Sequence, residues 1–267
     1  MKRKVFRILF PLLFWLLVWG LISWRVDVTA EMGNTLLLPY PGMVWGALVA
    51  LAGEKDFWLT AMLSLARMFG GIAMGAVAGV FLAVLTAASG MADLLLSPAV
   101  KVVRAVPVAS FILLVLLWTD RGWVPVVISA LMVVPVVWAS VRQGIDGVDR
   151  QLLELAHVYR FDRWKILRLV WLPAVKAAFT TGLATAMGLA WKAGVAAEVL
   201  CQPKLAIGTQ IFRSKQLLET AQLFAWTIVV ILLSLAMENL VKLLLRMGGR
   251  YDRIGTGHGG IRGKDRA

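Results

Sequence analysis

The sequence predicts an all-helical protein that crosses a membrane six times, and three observations carry that prediction. Sixty per cent of the 267 residues are hydrophobic and only 16% are charged. Soluble domains are roughly half apolar and a quarter charged, so this chain has too little polar material to cover its apolar mass in water. The apolar residues also gather into six runs near the length that crosses a bilayer, about 20 residues. Finally, Lys and Arg segregate into the intervals between alternate runs.

The first run, residues 6–24, follows the basic Met1-Lys2-Arg3-Lys4 and ends in Trp19 and Trp24, which suit the membrane interface. A basic start, an apolar stretch and Val28-Thr29-Ala30 also resemble a secretory signal with its cleavage site. The run is longer than such a signal and ends in tryptophans, so an uncleaved span is expected. The second run covers 58–87 and contains Gly71, Gly75 and Gly79. The third, 94–119, carries Pro98 and Pro107; the fourth is 123–141, the fifth 175–200 and the sixth 221–245.

With the N-terminus placed in the cytoplasm, the inside segments 1–8, 88–104, 142–176 and 242–267 hold 20 of the 28 Lys and Arg. The outside segments hold six, and Arg67 and Lys192 lie within runs. That bias predicts both termini inside. It also accounts for the net charge of +13, which a basic soluble protein would direct to nucleic acid but a membrane protein directs to anionic lipid. The single cysteine, Cys201, has no partner for an intrachain disulfide, and no Cys/His cluster has metal-ligand spacing.

The interval 142–176 is patterned. Leu152, Leu155, Ala156 and Tyr159 recur at i, i+3, i+4 and i+7, one apolar face of a short helix. Asp162 stands where it can cap a second helix starting at Arg163, with Trp164, Leu167 and Val170 apolar. An amphipathic helix held outside the bilayer either lies on headgroups or fills a groove on a partner, and the pattern alone leaves both open.

Within the runs, Arg67, Lys192 and Glu198 are the ionisable residues to explain, because intramembrane charges pair with each other or line a path. Lys192 and Glu198 are six apart on one helix and do not face each other, whereas Arg67 and Glu198 both lie toward outer ends and can pair across helices. Glu238 precedes Lys242 by four, the favourable order for a helical pair. Gly71, Gly75 and Gly79 share one face and predict a close packing seam, within the subunit or between subunits. His157 and His258 fall in a surface helix and a loose tail and are not expected to be catalytic. No G-x-x-x-x-G-K-[ST] occurs, so no nucleotide site of that kind is encoded.

Glu154-Leu155-Ala156, Trp164, Leu167, Val170 and Leu172-Pro173 together resemble the "EAA" loop of binding-protein-dependent ABC transporter permeases. Further elements follow in order: Leu38-Pro39-Tyr40-Pro41, Ser64-Leu65-Ala66-Arg67 through Gly70-Gly71, Arg104-Ala105-Val106-Pro107, Ala190-Trp191-Lys192 and Ala196-Ala197-Glu198. They resemble the branch that imports nitrate, sulfonates, taurine and related small nutrients, with the type I importer fold. The resemblance implies a bacterial inner-membrane protein that is not an enzyme and binds no cofactor itself, with ATP and Mg held by a partner ATPase. It implies a second permease subunit, most simply an identical one, an extracytoplasmic substrate-binding protein, and surrounding lipid. Glu154, Leu155, Ala156, Tyr159, Arg160, Trp164, Leu172 and Pro173 would form the joint with the ATPase, the small Ala156 allowing close approach. Two departures are evident: Arg160 stands where the family has glycine, and Leu155 replaces the first alanine. A long side chain in a left-handed turn costs about 1–2 kcal/mol.

The expected organisation is an N-terminal anchor and outer connection over 1–35, the permease domain over 36–247, and a basic, disordered cytoplasmic tail over 248–267. The competing function is a self-sufficient secondary transporter or channel, which should show internal repeats or broken helices with midplane ionisable groups. No half-to-half similarity is evident, and no paired carboxylates or clustered histidines suggest a membrane enzyme.

Overall fold

The computed structural model describes residues 2–29 and 37–250, with side chains placed for 9–11, 13–29 and 37–240. Its described residues form helices joined by short turns. α1 is Lys2–Thr29, α2 Pro41–Ala52, α3 Lys55–Ala88, α4 Gly90–Ala105, α5 Val108–Trp118 and α6 Val124–Asp146. α7 is Arg150–Val158, α8 Arg163–Ile166, α9 Leu172–Cys201, α10 Ile207–Gln216 and α11 Thr220–Arg250.

Five stretches are long and apolar enough to span: Leu9–Thr29, Lys55–Ala88, Val124–Asp146, Arg163–Cys201 and Thr220–Leu240. The expected third span is not one helix. α4 and α5 meet at 109°, so the run 94–119 is a broken pair. The cause is Pro107, which has no N–H to donate and bars the helical conformation from the residue before it. Val106 (φ −75, ψ 136) and Pro107 (φ −58, ψ 131) are both extended. At its 11 residues, α5 is about 16 Å long, half the hydrocarbon thickness.

The expected fifth span starts earlier than residue 175. The helix predicted from Arg163 does begin there, but it runs on into α9 through a π-turn at Leu167–Trp171. Pro173 follows two residues after it; a widened turn relieves the clash its ring makes with the preceding turn. Asp162 holds the N-cap position with extended backbone, yet its carboxylate accepts no capping bond. α2 and α10 were not foreseen. The helix of the expected sixth span, α11, continues to Arg250, past the expected start of the tail; residues 251–267, including His258, lie outside the described residues. The connection at 30–36 and the side chain of Lys242, and with it the Glu238 pair, do so too.

The core is a three-helix stack of α3, α6 and α9. Met68, Ile72 and Ala76 of α3 meet Val133, Val137 and Val141 of α6 and Ala186, Ala190 and Trp191 of α9. In lipid the driving force is close packing rather than escape from water. The glycine seam supplies it: a Cβ on Gly75 would lie 2.6 Å from the Ala130 carbonyl oxygen and 2.7 Å from Val133 Cβ, and one on Gly79 2.9 Å from Val137 Cβ. Gly71 meets Val126 and Ser129 in the same way. Of the two settings the sequence left open for this seam, it occupies the intrasubunit one. A second cluster joins α2, the start of α3, α10 and α11 through Val44, Phe57, Ile207 and Trp226.

Candidate functional site

The loop between α6 and α9 is built to stand away from the bundle. α6 ends at Gly147, and Asp149 caps α7 by accepting the Gln151 N–H at 2.9 Å. Of the expected apolar face, Leu152, Leu155 and Tyr159 stay uncovered among the described residues, while Ala156 turns inward. Leu152 is 53% exposed, Leu155 58% and Tyr159 68%, with Trp164 on α8 at 76%. Leu167, Leu169 and Leu172 continue the exposed apolar strip beside Arg163, Lys165 and Arg168. Glu154 and Pro173 are exposed, as are His157 and Arg160. Ala156 is the buried residue of α7, so its small side chain serves packing inside the subunit rather than the outward surface.

Arg160 occupies the left-handed turn that glycine would favour, with φ +50. The Phe161 N–H donates to the Ala156 carbonyl at 2.9 Å and the Arg160 N–H to the His157 carbonyl at 3.0 Å. This is the Schellman arrangement that closes a helix by satisfying its last carbonyls. The rings of Tyr159 and Phe161 lie 6.3 Å apart across the turn. The bend therefore keeps its geometry and Arg160 bears the strain, about 1–2 kcal/mol.

The intramembrane charges separate into two groups. Glu198 is 0% exposed and joins α3, α9 and α10. One carboxylate oxygen accepts from Ser64 Oγ at 2.9 Å and from the Gly208 N–H at 3.1 Å; the other lies 3.5 Å from Arg67 Nη1. Arg67 also donates to the carbonyls of Leu205 at 3.0 Å and Lys204 at 2.9 Å, and Ser64 accepts the Ile207 N–H at 3.0 Å. A Cβ on Gly208 would collide with Glu198, so only glycine allows this approach. A buried carboxylate needs such compensation. Lys192 takes no part: it is exposed on the open face of α9 with Thr181, Thr185 and Ala196.

The bonds of Ser64 and Gly208 to Glu198 are not legible in the sequence, because nothing local marks them as partners of a residue more than a hundred positions away or across a turn. The same holds for Arg142, which bridges Asp93 of α4 at 3.2 Å and Asp146 at 2.9 Å, fastening α4 to the end of α6 just before α7.

The chain is similar in sequence and in fold to known proteins. The family described as binding-protein-dependent transport system inner membrane component matches residues 71–247. The chain is 26% identical to the putative aliphatic sulfonates transport permease protein SsuC of Bacillus subtilis, over 84% of this chain and 81% of that one. It is 24% identical to the riboflavin transport system permease protein RibX of Chloroflexus aurantiacus, over 87% of each. It is also 24% identical to the taurine transport system permease protein TauC of Escherichia coli, over 85% of this chain and 84% of that one. In fold it is similar to the crystal structure of an amino acid ABC transporter with histidines, with a TM-score of 0.56 at 19% identity, covering 79% of this chain and 95% of that one. With its several long apolar helices, the chain belongs to the family of inner-membrane components of binding-protein-dependent transport systems, a multi-pass transport component rather than an enzyme.

Proposed function

We propose that the chain is the solute-conducting permease subunit of an ATP-binding-cassette importer, and that a separate ATPase grips it at the loop around Glu154. One observation carries this reading: the apolar strip of α7 and α8, from Leu152 through Trp164 to Leu172, is exposed, and among the described residues nothing covers it. An apolar face of that kind lays itself into a groove on a partner. Glu154 offers a carboxylate to a donor there, and the turn at Arg160 sets the angle between α7 and α8. The continuous helix from Arg163 to Cys201 then carries a push on α8 into the core.

The partner holds ATP and Mg. A second copy of the chain completes the path, and an extracytoplasmic binding protein delivers solute to it. The solute class is small anionic nutrients such as sulfonates or nitrate. Lys192 supports this class, because a cation on the open face of α9 would attract them, whereas Arg67 and Glu198 serve as a structural pair. The permease unit is taken as 36–247.

The test is co-purification. Glu154→Arg combined with Leu155→Arg should abolish recovery of the ATPase with the detergent-solubilised chain while membrane insertion stays normal. Undiminished recovery overturns the joint, and solute movement by proteoliposomes of the chain alone under an ion gradient would establish a self-sufficient transporter instead.

A further inference from the structure

The helix α4 has a break at each end. Ser89, between α3 and α4, is extended (φ −138, ψ 118), and so are Val106 and Pro107, between α4 and α5. Hinges are built from element-terminal residues of this kind. Between the two breaks α4 buries Ser97 and Val100 alone, while Met91, Leu94, Leu95 and Val102 are exposed among the described residues. The neighbouring α6 buries nine residues. A helix with so few buried side chains belongs to the part of a bundle that opens first.

Among the described residues one ion pair joins α4 to α6. Arg142 donates through Nη1 to Asp93 at 3.2 Å and through Nε to Asp146 at 2.9 Å. Breaking a buried charge pair is costly because a charge is left without compensation. Here each side of the α4–α6 bond keeps a second partner. Asp93 also accepts from Ser97 Oγ, and Arg142 also holds Asp146, one turn further along α6. The bond can therefore part for the modest cost of a partly exposed pair. It also sits at the end of α6, where Asp146 is followed three residues later by Asp149, the cap of α7.

We propose that α4 is a hinged arm and that Arg142 is its latch. With the Asp93 bond made, the arm lies closed against α3 and α6. With it broken, the guanidinium stays on Asp146 and α4 swings outward about Ser89 and Val106–Pro107, opening the inner half of the broken span. The stack of α3, α6 and α9 does not move. The device rests on the fold alone and stands whether or not an ATPase grips α7.

The test uses the full chain in nanodiscs with spin labels on Leu94→Cys of the arm and Met74→Cys of α3, both exposed positions, read by double electron–electron resonance. The native Cys201 is replaced by Cys201→Ala in every chain. A control pair, Met74→Cys with Ile231→Cys, spans α3 and α11. Arg142→Gln should raise a second, displaced distance population of the arm about fivefold, and Arg142→Lys, which keeps the charge, should restore the reference distribution. Asp146→Asn removes the partner that receives the released guanidinium, so it should leave that population at or below the reference level. A mere structural tie would loosen in both variants. An unchanged arm distance in Arg142→Gln, a rise in Asp146→Asn, or a control distance that spreads together with the arm's overturns the proposal.

Discussion

Substituting Gly75 by Ala tests the central packing seam directly, because the same helix carries its own control. A Cβ at position 75 would sit 2.6 Å from the Ala130 carbonyl oxygen, where ordinary contact begins at 3.4 Å. The obstacle is backbone and cannot rotate away, so α3 and α6 must separate by about 0.8 Å or distort, an overpacking cost of about 1–3 kcal/mol. One position before the seam begins, Gly70 has nothing within 4 Å of its would-be Cβ. Alanine there gains only the helix-propensity difference, about 1 kcal/mol. Both positions are interior to α3, so that gain cancels between the two variants. The Gly75→Ala chain should then be less stable than Gly70→Ala by the overpacking cost alone, about 1–3 kcal/mol. Gly79→Ala should fall between them, since its nearest contact is a side-chain carbon at 2.9 Å. The measurement is reversible unfolding in mixed micelles titrated with sodium dodecyl sulfate. Equal stability of the Gly70→Ala and Gly75→Ala chains would refute the seam.

Glu198→Gln removes the charge opposite Arg67 and replaces one of the carboxylate's accepting oxygens by a donor, which should cost about 3 kcal/mol in the same assay; a loss under about 0.5 kcal/mol would show the network to be idle. Arg160→Gly relieves a left-handed residue and should raise the stability of the α7–α8 turn by about 1 kcal/mol, while Arg160→Val should lower it by a similar amount. Hydrogen exchange at the Phe161 amide reads both changes. Asp149→Ala removes the α7 cap, worth about 1 kcal/mol, and should speed exchange at the Gln151 amide while leaving α3 and α6 amides unchanged.

Hydropathy and charge placement made the membrane class, the helical content and most span centres legible, because each depends on residues near one another in sequence. The loop helix and the start at Arg163 were legible for the same reason: periodicity is local. Pro98 and Pro107 were visible within the third run, but a proline can bend a helix or divide it: Pro98 stays inside α4, while Pro107 ends it. Arg160 was visible as a departure, and the hydrogen bonds of its turn settled that the left-handed geometry survives.

By itself, the sequence determined that this chain must live in a bilayer, since too few polar residues exist to clothe the apolar ones. It also determined that the interval 142–176 carries an amphipathic helix, since its period is written in consecutive positions. Only the tertiary structure decided that Gly71, Gly75 and Gly79 face α6, that Glu198 is held by Ser64, Arg67 and Gly208, and that Leu152, Leu155 and Tyr159 of α7 stay exposed among the described residues while Ala156 is buried. The physical reason is that helix pairing is a contest among distant surfaces: close approach and buried charge compensation select one arrangement from many that the local pattern permits equally.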